Sequence, residues 1–233
     1  MLIKNSVALV TGANRGLGLA FARALLARGA RKVYAAAREP SSISLPGVIP
    51  LRLDVTNPDE VATAVAQAGD ITLLVNNAGI SQHSSLLADD AITAARAELE
   101  TNLFGPLATS RAFAPILAAN GGGAIINVLS VLSWVTLPAV ATYSLSKAAA
   151  WALTNGLRAE LAAQRTQVVA LHVGYMETDM AKDVVGPKIS PDVVAELALA
   201  GVEAGTREVL ADAISQQVKS GLSAPQAPYL GAP

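Results

Sequence analysis

The chain predicts an α/β fold, a doubly wound parallel sheet with helices on both faces in a single domain, and three observations carry that expectation. Short apolar or β-branched runs alternate with helical stretches along nearly the whole length. These runs are largely apolar, as in strands buried on both faces, and do not alternate apolar with polar residues along their length. Finally, 52% of the residues are hydrophobic and only 15% charged, which suits a large core in which alanine-rich helices cover a sheet. At 233 residues, with no charge block or low-complexity linker, one domain over 1–222 is expected. A Pro-containing tail over 223–233 should be extended, because proline interrupts helix.

The elements follow in order. Strands are expected at Val7 to Thr11, Lys32 to Ala37, Val48 to Leu53, Ile71 to Val75, Ala124 to Ser130, Gln167 to Val173 and Glu208 to Ala211. Helices are expected at Leu17 to Arg28, Val61 to Ala68, Asp89 to about Ala118, Tyr143 to Ala163 and Pro191 to about Gly201, with a further helix-like stretch from Ala213 to Gly221.

Composition excludes several kinds of function. The net charge of -1, with no basic run, argues against nucleic acid or an anionic membrane as the main partner and leaves a small molecule. No apolar stretch reaches the roughly 18–20 residues of a membrane span, and Met1 to Asn5 lacks the design of a signal peptide, so a soluble cytoplasmic protein is expected. Without cysteine there is no thiolate catalysis and no zinc-thiolate site. His83 and His172 lack metal-ligand spacing; no metal is expected, and His172 reads as a packed strand-end residue.

Directly after the first strand comes Thr11-Gly12-Ala13-Asn14-Arg15-Gly16-Leu17-Gly18, opening into a helix. Glycines in that context allow unusual backbone angles and close approach of a pyrophosphate, and the helix N-terminus offers free N–H groups, so a dinucleotide is the expected ligand. The second strand ends at Arg38, where an NAD-binding chain would usually carry an acidic side chain. With Arg15, Arg38 can bind a ribose 2′-phosphate, which favours NADP(H) over NAD(H). Glu39 is the competitor, since a shift of one residue would bring its carboxylate to the ribose instead.

A second constellation lies in the middle of the chain. Tyr143 and Lys147 are four residues apart, so on a helix their Cβ atoms lie roughly 5–6 Å apart on one face. A nearby ammonium favours phenolate, and a serine hydroxyl, that of Ser130, can hold a substrate oxygen. Together they can run proton chemistry on a carbonyl.

These motifs, in this order, resemble the short-chain dehydrogenase/reductase family over Val7 to about Asp212. Thr11 to Gly18 matches its cofactor turn, Leu53-Asp54-Val55-Thr56 its adenine segment, and Asn76-Asn77-Ala78-Gly79 its signature after the fourth strand. Asn102, Ser130, Tyr143 and Lys147 match its catalytic tetrad. The resemblance implies a Rossmann-type sheet and hydride transfer with nicotinamide. In that scheme Tyr143 is the general acid or base, Ser130 orients the substrate oxygen, and Lys147 holds the ribose and depresses the tyrosine pKa. A bulge near Asn102 would keep a relay water. It also implies cofactor contacts from Gly12, Asn14, Arg15, Gly16, Leu17, Gly18, Arg38, Asp54, Val55, Asn77, Ala78, Gly79, Tyr143 and Lys147. Val173-Gly174-Tyr175-Met176-Glu177-Thr178 is similar to the family's Pro-Gly-x-x-x-Thr segment, so Gly174, Met176 and Thr178 join that set, with valine for proline loosening the turn.

The expected activity is NADPH-dependent reduction of a neutral ketone or aldehyde; the alternatives are an NAD-linked alcohol dehydrogenase and a non-catalytic NADP-sensing protein. Candidate pocket walls are Ser81, Gln82, His83, Leu132, Trp134, Tyr175, Met176 and Met180, with no Arg or Lys placed to clamp a carboxylate. The family's Asp-Gly-Gly turn after the last strand is replaced here by Glu208-Val209-Leu210-Ala211-Asp212 and a helix-like stretch. That puts a tetramer in doubt and leaves a homodimer through helices 94–103 and 148–161 as the expectation.

Overall fold

The computed structural model describes residues 1–231; Ala232 and Pro233, the end of the expected tail, lie outside the described residues. Seven strands form one parallel sheet: β1 (Val7–Thr11), β2 (Lys32–Ala37), β3 (Ile49–Arg52), β4 (Leu73–Asn76), β5 (Gly123–Val128), β6 (Thr166–His172) and β7 (Glu208–Leu210). Their order is β3-β2-β1-β4-β5-β6-β7. The chain reverses its direction of winding between β1 and β4, and in such sheets the crevice at the carboxyl ends of those two strands is where a ligand fits.

Helices cover both faces: α1 (Gly16–Ala27), α2 (Pro58–Gln67), α3 (Ala91–Leu99), α4 (Gly105–Ala119), α5 (Ala141–Glu160), α6 (Pro191–Glu203) and α7 (Ala213–Gly221). Alternate residues of each strand point to opposite faces, so β1 feeds two cores. Ala8 and Val10 pack with Phe21, Leu25 and Leu199 under α1 and α6. Val7 and Leu9 pack with Phe113, Leu117 and Leu157 under α2, α4 and α5. Helix starts carry their own signals: Asn57 accepts from Asp59 N and Glu60 N with Pro58 following, and Ser190 accepts from Asp192 N ahead of Pro191. Among the described residues no helix is long and apolar enough to cross a membrane.

The long helical region expected from Asp89 to Ala118 is interrupted. Residues Glu100–Phe104 form a π-turn between α3 and α4, in which Gly105 N donates to Glu100 O. Pro106 supplies the reason: it stands four residues after Asn102 and has no N–H to give to the Asn102 carbonyl, so the ordinary helical ladder cannot pass through. Beyond α7, where an extended tail is expected, Pro228–Leu230 make a short 3-10 turn and Ala227 is 2% exposed.

A polar seam crosses the sheet beneath the crevice. Thr109 Oγ1 of α4 donates to Asn76 Oδ1 (2.7 Å) and Asn76 Nδ2 donates to Asn127 Oδ1 (2.8 Å). Asn127 Nδ2 then donates to Thr154 Oγ1 of α5 (2.9 Å). All four side chains are buried, so each bond satisfies a group that would otherwise be costly to enclose, and together they tie α4 and α5 to adjacent strands.

Gly18 tests the tightness of this frame. A Cβ there would collide with the Gly12 carbonyl oxygen and stand 2.6 Å from Asn77 Nδ2. Gly18→Ala should lose about 2–3 kcal/mol of stability in chemical denaturation, the order expected for overpacking against backbone.

Candidate active site

The crevice is built first by the turn after β1. Gly12 has φ +65° and Gly16 has φ +53°, left-handed conformations that glycine adopts without strain. Thr11 Oγ1 accepts from Asn77 N and Ala78 N, each at 3.0 Å, and Asn77 Nδ2 donates to the carbonyls of Thr11 (2.8 Å) and Gly12 (3.2 Å). The glycine turn and the Asn76-Asn77-Ala78-Gly79 segment are thereby one rigid unit. Asn14 and Gly16 are half-buried along its rim, while Leu17 and Gly18 are buried in the helix behind.

Arg38 stands exposed just past β2. Its competitor Glu39 is engaged elsewhere, capping the next turn by accepting from Ser41 Oγ (2.9 Å) and Ser41 N (3.3 Å), bonds that hold its carboxyl below the usual range. Asp54 Oδ1 accepts from Thr56 Oγ1 (2.8 Å) and Thr56 N (3.0 Å), while Val55 is buried against Gly105. Arg15 does not stand free for an anion: its Nη1 pairs with Asp179 Oδ2 at 2.9 Å, with both side chains exposed. Thr178 lies over Gly16, so the stretch after β6 closes the crevice from the other side.

At the carboxyl end of β5 and the start of α5 the four predicted residues meet. Lys147 is 5% exposed, and its Nζ donates to Val128 O at 2.9 Å and lies 5.6 Å from the Tyr143 ring centre. Ser130 begins a 3-10 turn in which its Oγ accepts from Leu132 N (3.1 Å). Asn102 Oδ1 accepts from Ile80 N (2.9 Å), and its Nδ2 donates to Ile80 O (2.9 Å) and Ser146 Oγ (2.9 Å). Asn102 thus joins the π-turn, the loop after β4 and α5.

The electrostatics differ from the expected lowering of the phenol by the lysine. Burial pushes the Tyr143 phenol well above its ordinary range; the Ser130 hydroxyl draws it back and the Glu98 carboxylate pushes it further up. Burial also brings the Lys147 ammonium down to about 8. The phenol is therefore held protonated at neutral pH, the form that donates a proton.

With this geometry in hand, the similarities are specific. Residues 6–188 match the pattern of the family described as short chain dehydrogenase. The chain belongs to the short-chain dehydrogenase family. The fold agrees with a short chain dehydrogenase from Burkholderia cenocepacia J2315 solved in complex with NADP, at TM-score 0.95 and 46% identity, covering 100% of both chains. A gluconate 5-dehydrogenase from Burkholderia cenocepacia J2315, in complex with NADP and tartrate, superposes at TM-score 0.80 with 27% identity over 89% of this chain and 93% of that one. Galactitol 2-dehydrogenase (L-tagatose-forming) of Cereibacter sphaeroides is 37% identical over 76% of this chain and 74% of its own length. Dehydrogenase/reductase SDR family member 7B of Bos taurus is 29% identical over 78% of this chain, a match that spans only 62% of that relative's length.

Within this short-chain dehydrogenase, several candidate wall residues do other work. Trp134 is 8% exposed and stacks on His172, so it belongs to the packed interior, together with Leu132. Tyr175 and Met180 are exposed at 42% and 46%, and Met176 is half-buried; Met176 pairs with Ile189, closing the stretch 176–189 into a loop beside the crevice. Ser81 is half-buried, and Gln82 and His83 are exposed at the rim. The turn expected to loosen where valine replaces proline is instead fastened, because Gly174 N donates to Asp212 Oδ2 at 2.6 Å.

Three contributing residues escape sequence reasoning. Asp212 also caps α7, accepting from Ser215 N (2.8 Å), and Asp directly before a helix is a legible cap signal. Pro106 was equally legible as a breaker. Glu98, fully buried with Oε1 accepting from Gln82 N (2.7 Å), carries no local signal.

Burial of Lys147 has a consequence for stability. Below about pH 8 its amine is charged in both folded and unfolded chains, and enclosing that charge costs a few kcal/mol. Between about 8 and 10.5 the folded chain releases the proton while the unfolded chain keeps it, so this contribution to stability rises with pH across that window. Lys147→Met should unfold at higher denaturant concentration than the parent at pH 7, with the difference shrinking as pH approaches 10.

Proposed function

We propose that this chain is an NADPH-dependent carbonyl reductase acting on a neutral ketone or aldehyde, and the observation that carries the proposal is the convergence of Ser130, Tyr143 and Lys147 beside the glycine turn. The residues present fit a dinucleotide: Gly12 and Gly16 hold left-handed conformations in a turn that opens directly into α1, whose N-terminal N–H groups suit a pyrophosphate. Arg38, exposed and with Glu39 engaged in its own turn, suits a 2′-phosphate. Arg15 can join it, because an exposed ion pair such as Arg15–Asp179 is worth only about 0–1 kcal/mol and exchanges readily for a phosphate. Gly12, Asn14, Gly16, Leu17 and Gly18 would line the pyrophosphate, Asp54 and Val55 the adenine, and Asn77, Ala78 and Gly79 the ribose. Gly174, Met176 and Thr178 would line the carboxamide, and Lys147 the nicotinamide ribose hydroxyls. NADP-bound relatives support this choice of cofactor.

When bound, the reduced nicotinamide supplies the hydride. Tyr143, held protonated by its surroundings, gives its proton to the carbonyl oxygen, which Ser130 Oγ orients. Asn102, held by Ile80 and Ser146, keeps the π-turn open at the end of the proton path. The half-buried and apolar groups beside the crevice suit an uncharged substrate. Exposed Phe104 (49%) and Leu145 (43%), which lie just outside the two stretches 94–103 and 148–161 expected to pair, suit a homodimer. A second reading, oxidation of a polyol or sugar-acid alcohol, is favoured by the galactitol and gluconate dehydrogenases among the relatives.

Absorbance of NADPH and NADH, followed with a panel of ketones, aldehydes and secondary alcohols, tests the proposal. NADPH oxidation with neutral carbonyls is expected; turnover of alcohols alone favours the second reading, and binding of both cofactors without turnover sinks both. Tyr143→Phe should lower kcat by about 10²–10⁴-fold, the usual worth of a general acid, and unchanged turnover would remove Tyr143 from the mechanism. Arg38→Asp should raise KM for NADPH by about 10- to 100-fold, the loss of a charge-assisted bond, and leave NADH use equal or better.

A further inference from the structure

The C-terminal stretch that departs from the family pattern meets the Ser130 turn through one continuous set of contacts. Lys219 of α7 donates to Glu208 Oε1 at 3.0 Å and lies 2.9 Å from Glu208 Oε2. Its Nζ sits 5.0 Å from the Trp134 ring centre and 5.8 Å from that of Trp151, and the two indoles meet edge to face at 88°. The ammonium is thus held between two aromatic rings and a carboxylate, an arrangement whose parts each favour the cation. Trp134 in turn stacks on His172, ring centres 3.8 Å apart at 20°. His172 is fully buried, and its Nδ1 lies 3.1 Å from Ser130 O. A carbonyl only accepts, so Nδ1 carries the hydrogen and donates it.

We propose that Lys219 is a positioning residue for Ser130: α7 clamps Trp134 through the Lys219–Glu208 pair, Trp134 fixes the plane of His172, and His172 holds the Ser130 carbonyl. The proposal rests on the reading of Ser130 as the group that orients the substrate oxygen. Two further observations fit a clamp. The His172 ring is held at one nitrogen by the Ser130 carbonyl, while its Nε2 has no hydrogen-bond partner and stands 3.6 Å from Glu208 Oε1. Lys219 neutralises the carboxylate that would otherwise draw a proton onto that nitrogen, and burial keeps His172 neutral, its pKa down at about 4. In addition, Ser130 N and Leu132 N bond only within the turn, to Ser133 Oγ (3.4 Å) and Ser130 Oγ (3.1 Å). The main-chain tie to the β6 end is made by Val131 N to Val173 O (3.1 Å), and the Ser130 carbonyl, which also accepts from Ser133 N (3.0 Å), has His172 as its contact from outside the turn.

The chain's two tryptophans are both in this cluster, so tryptophan emission reports on it alone. Lys219→Met keeps the stem and removes the charge; Lys219→Arg restores a cation that can stack on indole and pair with carboxylate. On the full chain with NADPH, three quantities are read: tryptophan emission, amide hydrogen exchange, and steady-state kinetics with a carbonyl substrate. In Lys219→Met the emission should shift and exchange over residues 129–134 should speed up by about tenfold, with β1 unaffected, a local opening. The same variant should lose about tenfold in kcat, a fraction of what a 1 Å misplacement can cost, with KM for NADPH unchanged. Lys219→Arg should recover all three. Unchanged exchange over 129–134 despite altered emission overturns the proposal, as does faster exchange spread equally over β1, which marks a structural role only. If the parent turns over no carbonyl or alcohol, the reaction assigned above falls, and the exchange comparison still decides whether Lys219 positions the Ser130 turn.

Discussion

A buried ammonium must have an acceptor, and the site is organised around the one that Lys147 finds. Its Nζ reaches the carbonyl of Val128, the last residue of β5, at 2.9 Å. An enclosed charge without such a bond would cost far more than the helix gains by packing. The bond therefore fixes the rotation of α5 against the sheet. Tyr143, one turn earlier on the same helical face, is carried to the strand end, and Ser130, two residues past Val128, is already there. The seam from Thr109 to Thr154 repeats the same logic deeper in the fold, where buried amides and hydroxyls have no alternative to one another. Two helices are thereby referenced to adjacent strands by polar contacts that tolerate little sliding.

The same enclosure sets the chemistry. Burial raises the phenol and lowers the amine, so proximity alone does not make Tyr143 a phenolate. A protonated phenol next to a serine hydroxyl is prepared to give a proton to a carbonyl oxygen, which agrees with the reductive direction proposed for the chain. The crevice beside it joins segments distant in sequence: Asn77 bonds the turn at Thr11, Thr178 lies over Gly16, and Asp212 holds Gly174. Asp212 replaces the rigidity that a proline at position 173 would have supplied by a hydrogen bond from the far end of the chain. The departure of the C-terminus from the family pattern is thus linked to the departure at Val173, and α7, capped by the same aspartate, extends that link to the Ser130 turn.

What the sequence determined by itself is what depends on neighbours along the chain. Largely apolar runs marked β1 and β2 at their observed limits and the other five strands to within about two residues; the central strands are buried on both faces, whereas the edge strands β3 and β7 are only partly covered. The glycine turn and the spacing of Tyr143 and Lys147 were legible for the same reason: a few adjacent residues dictate each of them. The break at Glu100–Phe104 was written locally too, in a proline that denies Asn102 its helical partner. Tertiary structure alone decided the rest. Trp134 could wall a pocket or pack inward until His172, thirty-eight residues away, offered a ring to stack on. Glu39 competed with Arg38 until its turn engaged the carboxylate, and Arg15 met Asp179 only when the stretch after β6 closed over the glycines. Desolvation, which sets the protonation of Tyr143 and Lys147, is a property of everything packed around them, and no spacing of two letters encodes it.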